Sequence, residues 1–194
     1  GQRGELAARF VPAISPLAAL LEPTRAALEE LARLDDRFPV MVLSGAGELP
    51  ESSLRVARTV PVRQMCCEAA CDAVAVPAQP LGNDDAADMV ALATLTEPGP
   101  FAQRTVELGS YIGVREGGRL LAMAGERLMP PGWVEVSGVC THPDGRGRGY
   151  ARGLVARVTN AIIARGERAF LYVAVGSPSE RVATGVYEGL GFRF

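Results

Sequence analysis

Apolar residues recur along this chain in two periods, and the switches between them mark its elements. Leu28, Leu31 and Leu34 fall at helical spacing behind Pro23-Thr24, with acids on the opposite side, and predict a first helix. Val40-Met-Val-Leu43, closed by Ser44-Gly-Ala-Gly47, predicts a short buried strand. Val60 to Met65 predicts another, with Pro61 near its start, where a lost donor is tolerated. Val74 and Val76 alternate as in a strand, and Asn83-Asp-Asp85 offers a cap to a helix carrying Met89, Val90 and Leu92. Glu97-Pro-Gly-Pro100 is a turn, followed by a short helical piece to Leu108. Tyr111–Arg115 and Leu120–Ala124 flank Glu116-Gly-Gly118, a hairpin signal. Pro130-Pro-Gly132 then breaks the chain before a β-branched strand over 133–141, so three neighbouring antiparallel strands are expected.

The period changes again after a glycine-rich loop. A helix is expected from about Gly147 to Arg165, burying Ala151, Leu154, Val155, Val158 and Ile162 in one stripe. Phe170 to Val175 is apolar enough for a central strand. A last helix carries Val182, Ala183, Val186 and Leu190 on one face and ends at Gly191. Strand, helix and strand over 133–175 predict a right-handed parallel crossover. The expected fold class is α/β with a mixed sheet, antiparallel first and parallel later. Residues 1–73 read as an N-terminal accessory lobe and 74–194 as the second unit. The lobe's helix followed by apolar strands suggests a degenerate half-copy of the second unit's fold, and residues 1–72 hold no chemical constellation.

Composition narrows the function classes. With 194 residues, 48% apolar and 22% charged, the chain suits one sizeable core or two small ones. No stretch approaches the length of a membrane span, and no basic start precedes an apolar run as in a secretion signal. The chain begins at Gly1 rather than Met, and Phe194 follows closely on Gly191, which leaves an earlier N-terminus and a further strand open. A net charge of −2 weighs against a nucleic-acid binder. Every basic side chain is arginine, which excludes a lysine Schiff base and a lysine P-loop. Four cysteines without a regular framework suit a reducing cytoplasm. Cys66, Cys67 and Cys71 cluster, yet the only histidine is His142 and the spacing matches no common zinc pattern. Buried thiols on or beside a strand, with no metal, are expected.

The candidate chemistry sits at the strand–loop–helix junction Trp133–Arg152. Glycine lets an anion approach unpaired amides, and the helix dipole adds positive charge there, so the junction is a candidate phosphate cradle. A dinucleotide turn should follow its strand directly, whereas Thr141–Arg146 intervenes before Gly147, Gly149 and Gly153. An arginine patch for nucleic acid lacks aromatics beyond Tyr150. A solvated structural turn explains the glycines but not the arginines around them.

Arg146-Gly-Arg-Gly-Tyr-Ala151 resembles the Arg/Gln-x-x-Gly-x-Gly/Ala signature of the GNAT N-acetyltransferase superfamily. Leu108–Arg115, Leu121–Arg127, Val139-Cys-Thr-His-Pro143 and Val186-Tyr-Glu-Gly-Leu-Gly-Phe192 resemble a bacterial branch of it in the same order, over about residues 74–194. The resemblance implies a GNAT-like acyl-CoA N-acyltransferase fold, with acetyl-CoA as cosubstrate and a small-molecule or peptide amine as acceptor. It implies that the amides of Arg146, Gly147, Arg148, Gly149, Tyr150 and Ala151 hold the pyrophosphate. It further implies that Val139, Cys140 and Thr141 form the splayed edge along which the pantetheine arm lies. A backbone N–H there, that of Val139, is expected to polarise the thioester carbonyl. Glu135, eleven positions before Arg146, is where some members place a base, with Glu126 the next carboxylate to consider and Ser137 on the same face. The simpler role for Glu135 is a solvent-facing or ion-paired strand residue.

Tyr187 aligns with the tyrosine that protonates the departing thiolate; its simpler role is packing. Cys140 lacks a plausible base, so direct transfer in a ternary complex is expected rather than a covalent acyl-enzyme. Members often carry Asn seven residues before the tyrosine, whereas this chain has Glu180, which cannot donate the amide hydrogen bond. A degenerate, non-catalytic CoA-binding or interaction module is therefore the alternative. No nucleic-acid or membrane partner is expected, and a homodimer is left open.

Overall fold

The computed structural model describes residues 1–34, 37–45, 47–72 and 74–194. The chain divides into two compact units, Gly1–Thr59 and Val60–Phe194. In the first, β1 (Gln2–Arg3), β2 (Ala7–Arg9), β3 (Leu17–Leu20) and β4 (Met41–Val42) form one sheet in that order. Its pairs are antiparallel except β3 with β4, which run parallel across the intervening helix α1 (Arg25–Leu34). Thr24 caps α1 by accepting the Ala27 N–H at 3.3 Å, and Ala27, Leu28 and Leu31 are buried. Glu30 accepts the Leu6 and Ala7 N–H groups at 2.7 and 2.9 Å, fastening α1 to β2. The first three strands have no counterpart in the expectations, because segments of two to four residues are too short to show a period. The run Val40–Leu43 gives only the two-residue β4, and Met41 and Leu43 are exposed rather than buried.

The second unit holds β5 (Val62–Cys67), β6 (Ala78–Leu81), α2 (Ala86–Thr96), β7 (Tyr111–Glu116), β8 (Arg119–Glu126), β9 (Trp133–Thr141), α3 (Tyr150–Ala164), β10 (Arg168–Ala174) and α4 (Glu180–Glu188). The sheet order is β5-β10-β9-β8-β7-β6. Every pair is antiparallel except β9 with β10, joined through α3, so the mixed sheet follows the expected pattern. Gly117 and Gly118, at φ +55° and +82°, make the two-residue turn between β7 and β8. The compact unit begins at Val60, not at residue 74: β5 is paired along its whole length with β10, which only the assembled sheet decides. Val74 and Val76 lie outside any strand, and the edge strand β6 follows them, tolerating Pro80.

The sheet is covered on both faces. Leu154, Val155, Val158 and Ile162 of α3 share one core with Val134, Val136, Leu171 and Val173. A Cβ on Gly153 would come within 2.4 Å of Val76 Cγ1 and 2.9 Å of the Val74 carbonyl oxygen, so the glycine sets how closely α3 packs. On the other face Met89, Leu92 and Ala93 of α2 meet Leu81, Tyr111, Leu120, Met123 and Cys140. Of the last helix's expected apolar face, Ala183 and Val186 pack against the core and Leu190 is buried, whereas Val182 is exposed and Tyr187 enters the core instead. Gly191 at φ +94° then turns the chain so that Phe192 is buried and Arg193 bridges to Cys66.

Two irregularities in β9 set the course of the chain toward the loop and α3. Its parallel register with β10 covers only Trp133–Glu135 against Arg168–Phe170, while Leu171–Ala174 keep pairing with β5 alone. Gly138, at φ +63°, lies where the β8–β9 register shifts. Beyond Glu135 the two parallel strands part. No helix among the described residues is long and apolar enough to cross a membrane.

Candidate functional site

From the end of β9 the chain turns through a short 3₁₀ helix, Pro143–Gly145, and His142 caps it by accepting the Asp144 N–H on Nδ1 at 3.1 Å. The histidine therefore has a local structural task. Gly147 and Gly149 follow at φ +75° and +76°, and open space lies where a side chain on either would stand. Helix α3 begins at Tyr150. The N–H groups of Gly147, Arg148, Gly149, Tyr150 and Ala151 have no protein acceptor among the described residues. Such a row of amides at the positive end of a fifteen-residue helix is a site for an anion.

The loop's side chains are tied elsewhere. Arg148 pairs bidentately with Glu116 on the β7–β8 turn, its Nη1 at 2.8 Å from Oε2, and the Tyr150 hydroxyl donates to the same carboxylate at 2.6 Å. Hydrogen bonds from Arg148, then Tyr150, hold the Glu116 carboxyl down to about 2. Arg148 also lies over the Tyr150 ring, 4.8 Å from its centre. Arg146 and Arg148 are exposed, Tyr150 is buried and Ala151 half-buried. The hairpin thus anchors the loop by its side chains, and the backbone is what the loop presents.

The free side of β9 after the parting carries Val139, Cys140 and Thr141. Val139 packs on the α3-side core, and Cys140 is buried in the α2-side core. Burial pushes the Cys140 thiol up to about 11, so it is no thiolate near neutrality. The Thr141 hydroxyl is buried without a hydrogen-bond partner among the described residues. Tyr187 is buried, and burial, then the nearby Cys140, pushes its phenol up to about 12. Tyr187 and the end of β9 are thus brought together.

Glu135 is placed differently from a solvent-facing strand residue. It is 1% exposed, and Arg127 grips both oxygens, Nη2 to Oε1 at 2.6 Å and Nε to Oε2 at 2.9 Å. The backbones are also paired, Arg127 N–H to the Glu135 carbonyl and Glu135 N–H to the Leu128 carbonyl. Each carboxylate oxygen keeps a further lone pair, so the clamp leaves acceptor sites on Glu135. The second carboxylate, Glu126, is buried and bonded by Arg165 at 3.0 Å. Ser137 is half-buried opposite Gly125. Glu180 accepts the Gly176 N–H at 2.6 Å and Arg63 at 2.7 Å, and those two bonds, in that order, hold its carboxyl below the usual range. An arginine of β5 therefore answers the charge that replaces the usual asparagine. All four cysteines are free thiols, and no cluster among the described residues has the make-up of a metal site.

Arg127, Glu116 and Arg63 were not singled out from the sequence. For Arg127 a signal existed: a turn centred on Pro131 sets residues 127 and 135 opposite each other across β8 and β9. For Glu116 and Arg63 there was none, since their partners lie 32 and 117 positions away.

A family model for FR47-like proteins matches residues 111–194. A crystal structure assigned as a GNAT-family acetyltransferase from Novosphingobium aromaticivorans is 39% identical, over 98% of this chain and 84% of its own, with a TM-score of 0.78. A GCN5-related N-acetyltransferase from Kribbella flavida matches at 19% identity over 70% of this chain and 54% of its own, with a TM-score of 0.53. The ribosomal-protein-S18-alanine N-acetyltransferase of Escherichia coli matches at 19% identity over 60% of this chain and 76% of its own, with a TM-score of 0.51. No curated protein matches the chain.

Proposed function

The chain belongs to the GNAT family of acetyltransferases, and from that premise we propose that it moves the acetyl group of acetyl-CoA to a primary amine of a small molecule or peptide. The observation that carries this reading is the run of amides Gly147–Ala151, without acceptors among the described residues, in the loop that follows a strand parted from its parallel neighbour. The amides suit the diphosphate of the donor, and the edge Val139–Thr141 suits its extended arm as an added strand. Open space at Gly147 and Gly149 fits the approach of a bulky anion.

The chemistry needs three further things: a polarised carbonyl, a neutral amine and a protonated leaving thiolate. The Val139 N–H supplies the first as charge builds on the thioester oxygen. Glu135 accepts the ammonium proton on its remaining lone pairs, directly or through a water. The amine nitrogen then attacks the carbonyl carbon, the C–S bond breaks, the sulfur takes a proton from Tyr187, which burial keeps protonated, and the extra proton left on the new amide nitrogen returns to that phenolate. Buried Cys140 takes no covalent part, and transfer is direct. The four free thiols suit a cytoplasmic location.

A non-catalytic CoA-binding module is the second reading, and the clamp of Arg127 on both Glu135 oxygens is what favours it. The two are separated by following thiol release from acetyl-CoA over a panel of primary amines, beside calorimetry with CoA. Turnover with any amine supports transfer. Tight binding without turnover leaves the binding module, and no heat of association removes both.

A further inference from the structure

Tyr111 stands at the start of β7, two strands away from β9, yet its ring reaches β9. Gly125 faces it on β8 and Ser137 faces Gly125 on β9, so the three form a row across the sheet. Gly125 has no side chain to block that row: a Cβ there would come within 2.3 Å of the Tyr111 ring. A Cβ on Gly138 would lie 3.0 Å from Tyr111 Cε1 and 3.4 Å from Phe101. Phe101 completes the slot edge-on, its ring centre 5.6 Å from that of Tyr111. Two glycines on two strands therefore clear a lane that carries the phenol from β7 to the bulge of β9, next to Val139.

At the end of that lane the hydroxyl is buried and has no hydrogen-bond partner among the described residues, although the residue is only 2% exposed. The titratable groups whose charges act on it are, in order of effect, Arg127, Glu135, Cys140 and Glu126. Leaving a buried hydroxyl unsatisfied is costly, and a phenylalanine would fill the same slot without that cost. The hydroxyl is thus a polar group with no bonding partner among the described residues, on the sheet face that carries Glu135, and its ring lies against Gly138, one residue from the amide assigned to the thioester carbonyl.

We propose that Tyr111 is a positioning residue for acyl transfer, its hydroxyl holding with Glu135 the water through which the acceptor ammonium loses its proton. The proton passes from the nitrogen to the water as the water passes one to Glu135. The amine so freed forms the C–N bond while the C–S bond breaks, the thiolate takes its proton from Tyr187, and the second nitrogen proton restores that phenol. The inference rests on the acetyl-transfer reading and adds to it a second group at the acceptor side.

Three proteins test it with acetyl-CoA and a panel of primary amines: an aliphatic diamine, an arylethylamine, an amino acid and a lysine-containing peptide. Tyr111→Phe is expected to lower kcat roughly ten- to a hundredfold on the amine that turns over, with the KM for acetyl-CoA unchanged. Its Tm is expected to stay level or rise, as loss of a merely structural hydroxyl bond would not allow. Combined with Glu135→Gln, it is expected to slow the reaction no further than Glu135→Gln alone, because both act through one proton path. Full kcat in Tyr111→Phe, or additive losses in the double variant, overturns the role. If the unaltered chain acetylates no amine, the acetyl-transfer reading fails first, and this one falls with it.

Discussion

Tyr187 and Tyr111 are both phenols held neutral by burial, but they face opposite demands. Tyr187 is suited to give a proton, since burial pushes it up to about 12 and it stays protonated across the working range of an amine acetyltransferase. Tyr187→Phe is expected to reduce kcat about ten- to a hundredfold, with little change in acetyl-CoA KM, in a steady-state thiol-release assay. Arg148 is the contrasting residue. Its guanidinium is committed to Glu116, so Arg148→Ala is expected to change the affinity for CoA by no more than about threefold, measured by calorimetry. In the sequence Arg148 is legible as a charge beside the proposed phosphate site. The carboxylate that occupies it is not, because that contact spans a hairpin and a loop.

At the scale of elements, the proposed binding falls to the junction of β9, the loop and α3, where glycines leave the amides accessible. Gly149→Ala puts a side chain into the left-handed region at a cost of roughly 1–2 kcal/mol and fills the open space proposed for the anion. It is expected to weaken CoA binding by about tenfold, read as a Kd by calorimetry, with kcat at saturation less affected. Gly153→Ala acts by packing instead. Its methyl would meet Val76 and the Val74 carbonyl, and the expected loss is about 1–3 kcal/mol of stability in urea unfolding. The strand β9, the helix α3 and the crossover to β10 could be read from apolar spacing because they are long and strongly periodic. Strands β1 to β3 could not, being four residues or fewer.

At the scale of the molecule, stability is expected to fall in alkali. Burial pushes the thiols of Cys71 and Cys140 up to about 12 and 11 from an ordinary 9.0, and the phenol of Tyr187 up to about 12 from 10.0. Each folded value lies above its unfolded one, so the unfolded chain releases these protons first. The contribution is complete below pH 9.0 and is lost as pH rises through about 12. Urea midpoints measured from pH 7 upward are expected to drop across that window, less steeply in Tyr187→Phe. The division into two units has its own test. Arg55 and Arg58 are exposed and outside regular structure, so brief trypsin treatment is expected to cut there and leave a fragment beginning near Val60. Cutting inside 62–74 instead would contradict the pairing of β5 with β10.

The amino-acid order alone determined the long elements, the direction of the β9–α3–β10 crossover and the glycine loop that opens α3. All of these depend on residues within a few positions of each other, where spacing and backbone freedom act locally. Only the tertiary structure decided that β5 completes the second sheet, that Arg127 clamps Glu135, that Arg63 answers Glu180, and that Tyr111 crosses β8 to reach the β9 bulge. Those are meetings of distant segments, and their partners are chosen by which strands lie side by side once the core has closed.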